Sequence, residues 1–287
     1  MSGLYLMSMN KRIPDFIIAG AAKSATTWWQ HVLHAHPSIY IPLDELHYFS
    51  FDYDPTDLLS IDYLANFDKA EPGQLVGENS NSYLPHPGCA ERINQSLPEI
   101  KIIVSLRNPI ARAYSDWEMR VRQGLHIRET QAFLDPDHVP DFEFLRKGLY
   151  AHQLASYLSV FGKERVLMLV ADDLKVDCEI EYLKVCRYLG VDERVPLDKL
   201  DQAVNTRDQK AVFPHLRRRI AGTRIGAPII QVIRKSPLRC VARGLFARPQ
   251  HAPPMPGNIR VKLQQYYRND VEQLSELLDR DLTHWLK

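Results

Sequence analysis

Cysteine is scarce in this chain: four residues in 287, at positions 89, 178, 186 and 240, with no Cys-x-x-Cys pair. That spacing supplies neither a disulfide framework nor a zinc site and suits a reducing compartment, so a cytoplasmic location is expected. Long apolar runs are missing too. Nothing approaches the roughly 20 residues that a membrane-spanning helix needs. The stretch Leu4, Tyr5, Leu6, Met7 is too short for a secretory leader, and its basic residues Lys11 and Arg12 follow it instead of preceding it. Repeats and low-complexity tracts are absent. Finally, acid is missing from one segment: residues 209 to 269 hold no Asp or Glu, yet thirteen of the 36 Lys and Arg fall there. The rest of the chain carries 23 basic residues against 35 acidic, an asymmetry hidden by the formal net charge of +1. Such a segment meets a polyanion or an anionic membrane surface, or it pairs with the acidic remainder of its own domain.

What is present reads as one ordinary globular domain, 45% hydrophobic and 25% charged. Apolar runs that suit buried strands recur at 16–19, 75–77, 100–106 and 166–170. Helical patterns fall between them at 27–34, 109–122, 150–161 and 179–189. Strands alternating with helices predict an α/β fold in which a parallel sheet is flanked by helices on both faces, with ligands at the carboxyl ends of the strands. The expected layout is a core over 14–210, a basic helical insertion over 211–257, and a C-terminal helix over 258–287. That last helix has Leu263, Tyr266, Tyr267, Val271, Leu274, Leu277 and Leu278 as an apolar stripe. Residues 131–141, with Pro136 and Pro140, read as a loop.

The chain is organised around Phe16-Ile17-Ile18-Ala19-Gly20-Ala21-Ala22-Lys23-Ser24-Ala25-Thr26-Thr27-Trp28-Trp29. A buried strand runs into a turn of small residues, one lysine and three hydroxyls, and then a helix. A helix start with free N–H groups beside a lysine is a seat for a phosphate-like anion. A nucleoside-triphosphate loop requires glycine just before its lysine. Ala22 stands there, so that reading fits poorly. A second stretch, Lys101 to Pro109, is a strand ending in Arg107, with Asn108 as helix cap and Pro109 at the first helical position. The apolar stripe of the helix that follows (Ile110, Ala113, Tyr114, Trp117, Val121) faces the sheet and leaves Arg107 and Ser115 to other work. A guanidinium fork suits phosphate oxygens.

Together these stretches resemble the sulfotransferases that use 3′-phosphoadenylyl sulfate (PAPS), closer to bacterial and glycan-type members than to cytosolic aryl enzymes. The first loop is similar to the family's Lys-x-Gly-Thr-Thr loop, with Ala25 where glycine is common. The resemblance implies that Lys23, Ser24, Ala25, Thr26, Thr27 and Trp28 cradle the 5′-phosphosulfate, and that Arg107 and Ser115 hold the 3′-phosphate. Asp44-Glu45-Leu46-His47-Tyr48-Phe49 resembles a Lys-Glu-Pro-His-Phe-Phe segment whose glutamate is the catalytic base. Glu45 is then the expected base and His47 its rival, both addressing one pocket because residues two apart in an extended segment point the same way. Gly77 to Tyr83 is similar to a segment that often carries a second lysine. Asn79 stands there instead, and Ser80, Ser82 and Tyr83 are candidate hydrogen-bonding groups for the acceptor. Lys210, near Arg207, matches a loose basic loop that closes over the donor.

The expected activity is direct, in-line, metal-free transfer of a sulfuryl group to a hydroxyl, or an amine, of a carbohydrate, lipid-linked or small natural-product acceptor, leaving PAP (adenosine 3′,5′-bisphosphate). Nucleic acid is not an expected partner. The basic stretch 217–248 is a candidate for peripheral membrane contact, and the sequence sets no oligomeric state. Two alternatives stand beside this reading. One is a P-loop kinase or NTPase, for which Asp172 is the only acid in a suitable place. The other is a non-catalytic protein that binds an anionic ligand or a membrane surface.

Overall fold

Five parallel strands form the centre of the fold. In this computed structural model, residues 11–122, 134–137, 142–195 and 254–287 are described. The strands are β1 (Phe16–Gly20), β2 (Ile39–Tyr40), β3 (Leu75–Asn79), β4 (Lys101–Leu106) and β5 (Val166–Val170), and they lie in the order β2-β3-β1-β4-β5. The longer helices are α1 (Thr26–His34), α2 (Cys89–Ser96), α3 (Pro109–Arg122), α4 (Tyr150–Phe161), α5 (Cys178–Leu189) and α6 (Gly257–Leu278). Parallel strands need crossovers, and the helices supply them, so both faces of the sheet are covered. Among the described residues no helix is long and apolar enough to cross a membrane.

Alternation along the strands sorts the core into two layers. Phe16, Ile18, Ile103 and Leu169 pack with Trp29 and Leu33 of α1 and with Val185 and Leu189 of α5. Ile17, Ala19, Ile102 and Val104 face the opposite way, toward α2, α3, α4 and α6. The Phe16 ring lies against β3 where a side chain would otherwise stand: a Cβ on Gly77 would collide with it. Glycine is therefore a packing requirement at that position.

β1 pairs with β4 in register from Phe16 opposite Lys101 to Ile18 opposite Ile103, and the register shifts between Ile18 and Gly20. Here β1 leaves the ladder and becomes the loop that begins the site. The loop is tied on both sides: Leu84 N donates to Ala19 O (2.9 Å) and Ala21 N to Ser105 O (2.8 Å).

The apolar stripe of α6 is buried at Leu263, Tyr267, Val271 and Leu274, with Tyr266, Leu277 and Leu278 partly covered. The helix does not reach the end of the chain. It stops at Leu278, where Asp279 turns left-handed (φ 49°), and a separate 3-10 turn, Thr283–Leu286, follows. That turn closes over the ends of β4 and β5, with Asn108 Nδ2 donating to Trp285 O (2.9 Å) and Trp285 Nε1 to Asp172 (3.2 Å). Strand β2 and helix α2 were not predicted. Two strand residues and a helix rich in polar groups leave almost no periodicity to read. The insertion over 211–257 lies, up to residue 253, outside the described residues. In the part of the acid-free segment that is described, Lys262 pairs with Asp135 (2.9 Å) and Asp137 (2.7 Å), as a basic face matched within its own domain would.

Candidate active site

The loop after β1 holds two non-glycine residues in the left-handed region, Lys23 (φ 68°) and Ala25 (φ 65°). An L residue there costs roughly 1–2 kcal/mol, a strain that clusters at functional sites. The surroundings hold the turn in place: Ser24 N donates to Ala21 O (3.2 Å) and Ser105 Oγ donates to Ser24 O (2.7 Å). Ser24 is fully buried, beside the Tyr150 phenol, whose pKa burial pushes up to about 12. Ala25 occupies the N-cap of α1, and no side-chain cap fills that helix start. Its first N–H groups, those of Thr26 and Thr27 included, thus keep their capacity for an external acceptor.

Arg107, half-buried at the end of β4, donates to Lys23 O (3.1 Å) and so ties the second basic residue to the first loop. Asn108 caps α3 as predicted, accepting from Ile110 N (2.9 Å) and Ala111 N (3.1 Å). Ile110, Ala113, Trp117 and Val121 are buried, which turns Ser115 and Met119 to another face of α3. Lys23 Nζ lies 3.5 Å from Met119 Sδ. Residues four apart share a helix face, so the ammonium sits over the side of α3 that carries Ser115. Lys23 and Arg107, 84 residues apart in sequence, thus meet at one loop. Trp28 is half-buried, its ring edge-on to Trp29 (4.8 Å).

Glu45 and His47 meet, as expected, but not along an extended strand. His47 is left-handed (φ 57°) and begins a π-helical turn, Tyr48–Asp52. That turn brings His47 Nε2 to 3.2 Å from Glu45 Oε2. Asn81 Nδ2 reaches both carboxylate oxygens at 2.7 Å, and Asn79 Nδ2 lies 3.5 Å from Oε1. Asn79 also donates to Gln30 Oε1 (3.1 Å), and Gln30 Nε2 donates to Pro42 O (2.6 Å). Gln30 stands one turn beyond Thr26 on α1, so this amide chain couples the carboxylate to the helix of the anion loop.

Beneath lies a buried acid that the sequence did not single out. Glu78 accepts from Tyr63 (2.6 Å), Ser80 (2.7 Å) and Tyr83. Burial raises its pKa against the effect of those three donors. Ser80 in turn accepts from His47 N (2.9 Å), holding the left-handed turn.

Several expectations need correction. Ser80 and Tyr83 are fully buried and bonded to Glu78, so they cannot meet an acceptor. Ser82 is engaged by His47 Nδ1 (2.8 Å) and Ser50 (2.7 Å). Asp172 serves Lys175 and the Trp285 indole, and is no nucleotide-loop acid. Lys210, with Arg207 and the stretch 217–248, lies outside the described residues. The sequence reading assigned no role to Asn81, Gln30 or Ser105. Gln30 carried one signal: a polar residue within an otherwise apolar Trp-Trp-x-x-Val-Leu face. Asn81 carried none, because Asn is an ordinary turn residue.

The sulfotransferase domain family matches residues 13–218 of the chain. Among curated proteins, human heparan sulfate glucosamine 3-O-sulfotransferase 6 is 28% identical over 276 residues, which is 94% of this chain and 73% of that protein. Its mouse counterpart is 30% identical over 194 residues, 66% of this chain and 55% of that protein, so the chain spans little more than half of this relative's length. Among solved structures, a sulfotransferase from Alicyclobacillus acidocaldarius superposes with a TM-score of 0.67 at 26% identity, covering 96% of this chain and all of the other. The sulfotransferase domain of the Synechococcus PCC 7002 olefin synthase shares the fold, with a TM-score of 0.52 at 17% identity, 95% of this chain and 96% of its own.

Proposed function

Because the chain belongs to the sulfotransferase domain family, we propose that it moves the sulfuryl group of PAPS onto a hydroxyl of a carbohydrate or similar acceptor, with Glu45 as the base. The observation that carries this reading is the Glu45 carboxylate held by Asn81 and His47 and coupled through Asn79 and Gln30 to the helix of the anion loop. In-line transfer needs a proton acceptor on one side of the reacting group and positive charge on the other. Glu45 takes the proton of the acceptor hydroxyl as its oxygen forms the new S–O bond. Lys23 and the N–H groups that open α1 offset the charge that builds on the sulfuryl and bridging oxygens. Arg107 and Ser115 hold the 3′-phosphate and so set the register of the donor. The physics is that of phosphoryl transfer on a group of lower charge.

The fit of the donor is supported by the uncapped start of α1 and the strained, well-tied loop before it. A carbohydrate acceptor is supported by the names of the curated relatives. Phe51 supports it too: this side chain is 69% exposed with its ring 6.0 Å from that of His47, an apolar wall against which the C–H face of a sugar can pack beside the base.

Calorimetry with PAP, with and without Mg²⁺, tests the donor site on the wild type and Arg107→Ala. Binding without metal is expected, weakened about 10- to 100-fold by the substitution, in line with losing charge-assisted hydrogen bonds. No binding, or a strict metal requirement, overturns the reading. In the same preparation Glu45→Gln should bind PAP normally and lose about 10²- to 10⁴-fold in turnover. Retained turnover there, with loss in His47→Ala, assigns the base to His47.

A further inference from the structure

Both ring nitrogens of His47 are engaged, and a line of side chains leads away from the carboxylate. Nε2 lies 3.2 Å from Glu45 Oε2. Nδ1 lies 2.8 Å from Ser82 Oγ, which lies 2.7 Å from Ser50 Oγ, which lies 3.7 Å from Cys89 Sγ. Ser50 and Cys89 are buried. A neutral imidazole has one N–H and one lone pair, so the bond made at one nitrogen decides what the other can do.

The buried end of this line sets its direction. Burial pushes the Cys89 thiol up to about 11, which keeps it protonated, and its S–H donates to Phe49 O (3.2 Å). Ser50 then has Ser82 Oγ as the stronger and nearer acceptor, since sulfur accepts weakly. Once Ser82 accepts from Ser50, its own hydrogen is available for His47 Nδ1. That leaves the ring proton on Nε2, pointing at Glu45.

We propose that Ser82, backed by Ser50, is a positioning residue that selects the Nε2–H tautomer of His47 and so makes the ring a donor to the Glu45 carboxylate. The inference rests on Glu45 acting as the base. In the opposite tautomer the Nε2 lone pair would face a carboxylate oxygen at 3.2 Å, two acceptors in contact. Glu45 would then lose one of the donors that hold its rotamer, and the carboxylate would swing from its approach to the acceptor. A serine hydroxyl is also a rotor. When His47 is neutral it donates to Nδ1, and when the ring is protonated it turns to accept from it. No proton leaves the serine in either state.

The experiment is ¹⁵N NMR of the imidazole nitrogens, followed to a pH where the ring is neutral, on the wild type, Ser82→Ala and Ser82→Thr, with His47→Asn to assign the signals. The wild type should show a single Nε2–H tautomer. Ser82→Ala should show a mixture with Nδ1–H, and Ser82→Thr should restore the wild-type pattern because it keeps the hydroxyl. Turnover should fall about 10- to 100-fold in Ser82→Ala, as when a group that orients an active residue is removed. The donor KM should stay unchanged, and activity should recover in Ser82→Thr. Nδ1–H in the wild type, or unchanged ring signals in Ser82→Ala, overturns the proposal; so does a tautomer shift with full turnover. A wild type that transfers no sulfuryl group at all defeats the functional reading instead, and the ring signals still decide the tautomer. Ser82→Thr guards against a misfolded alanine variant, since a fold defect from altered packing would not be rescued by restoring the hydroxyl alone.

Discussion

Three helices begin around the anion loop, and they begin differently. Helix α3 is capped locally, with Asn108 Oδ1 accepting from Ile110 N and Ala111 N. Helix α4 is capped at long range: Asp270 of α6 accepts from Tyr150 N (2.8 Å) and Ala151 N (3.0 Å). Helix α1 starts from Ala25, which has no side-chain oxygen to give, and no side-chain cap stands in for it. A missing cap costs a helix about 1 kcal/mol. The protein accepts that cost at one helix and removes it at two neighbours. The exception is the helix whose loop also carries Lys23 in a strained conformation and is gripped by Arg107. Of these three starts only that of α1 is left without a side-chain cap, which is what the proposed seat of a substrate anion needs.

The sharpest way to break this comparison is to fill the open start. Ala25→Asp places a carboxylate at the N-cap of α1, at a left-handed position that Asp tolerates better than most residues. Thermal stability should hold or rise. PAP affinity should fall about a hundredfold or more, because like charges some 4 Å apart repel by about 4 kcal/mol even at an effective dielectric near 20. Unchanged affinity by calorimetry would mean that the anion is not seated on α1.

The second test concerns the filled start of α4. Burial raises Asp270 from 3.8 to about 6, against the two backbone N–H groups that favour its charged form. The folded chain therefore binds this proton more tightly than the unfolded chain does. The stability it contributes is full below about pH 4 and is lost as pH rises through about 6, a loss of about 3 kcal/mol. Asp270→Asn keeps an acceptor but cannot ionise. Denaturation midpoints taken across this window should show the wild type losing stability relative to the variant as pH rises; parallel profiles would sink the assignment.

The smallest effect is expected at Ala25→Gly. Glycine relieves the left-handed strain and gives back part of that gain as unfolded-chain entropy, so stability should rise by about 0.5–1 kcal/mol with PAP affinity unchanged. A fall in the unfolding midpoint would show that the loop is not strained at this residue.

Much of the fold, and the loop proposed for the donor, was legible because it is written locally. The strand over Val166–Val170 and the helices Pro109–Arg122 and Tyr150–Phe161 have the bounds their hydrophobic periods predicted. Lys23 with its hydroxyls, and Arg107 just before a capped helix, are contiguous motifs whose chemistry follows from residue type and spacing. The poor fit of Ala22 to a nucleoside-triphosphate loop needs nothing beyond the sequence.

The side proposed to hold the base was legible only in outline. Glu45 and His47 could be named as partners, but no local pattern shows that a left-handed His47 and a π-helical turn bring them together, nor that Asn81, 36 residues away, clamps the carboxylate. Ser80 and Tyr83, which looked ready for an acceptor, turned out to be buried partners of Glu78, and Ser82 is engaged by His47 and Ser50. The physical reason is the same in each case. Backbone periodicity and helix caps are short-range and leave a trace in adjacent residues, whereas hydrogen bonds between side chains on β3, the Tyr48–Asp52 turn and α1 exist only once the parallel sheet has brought those segments side by side.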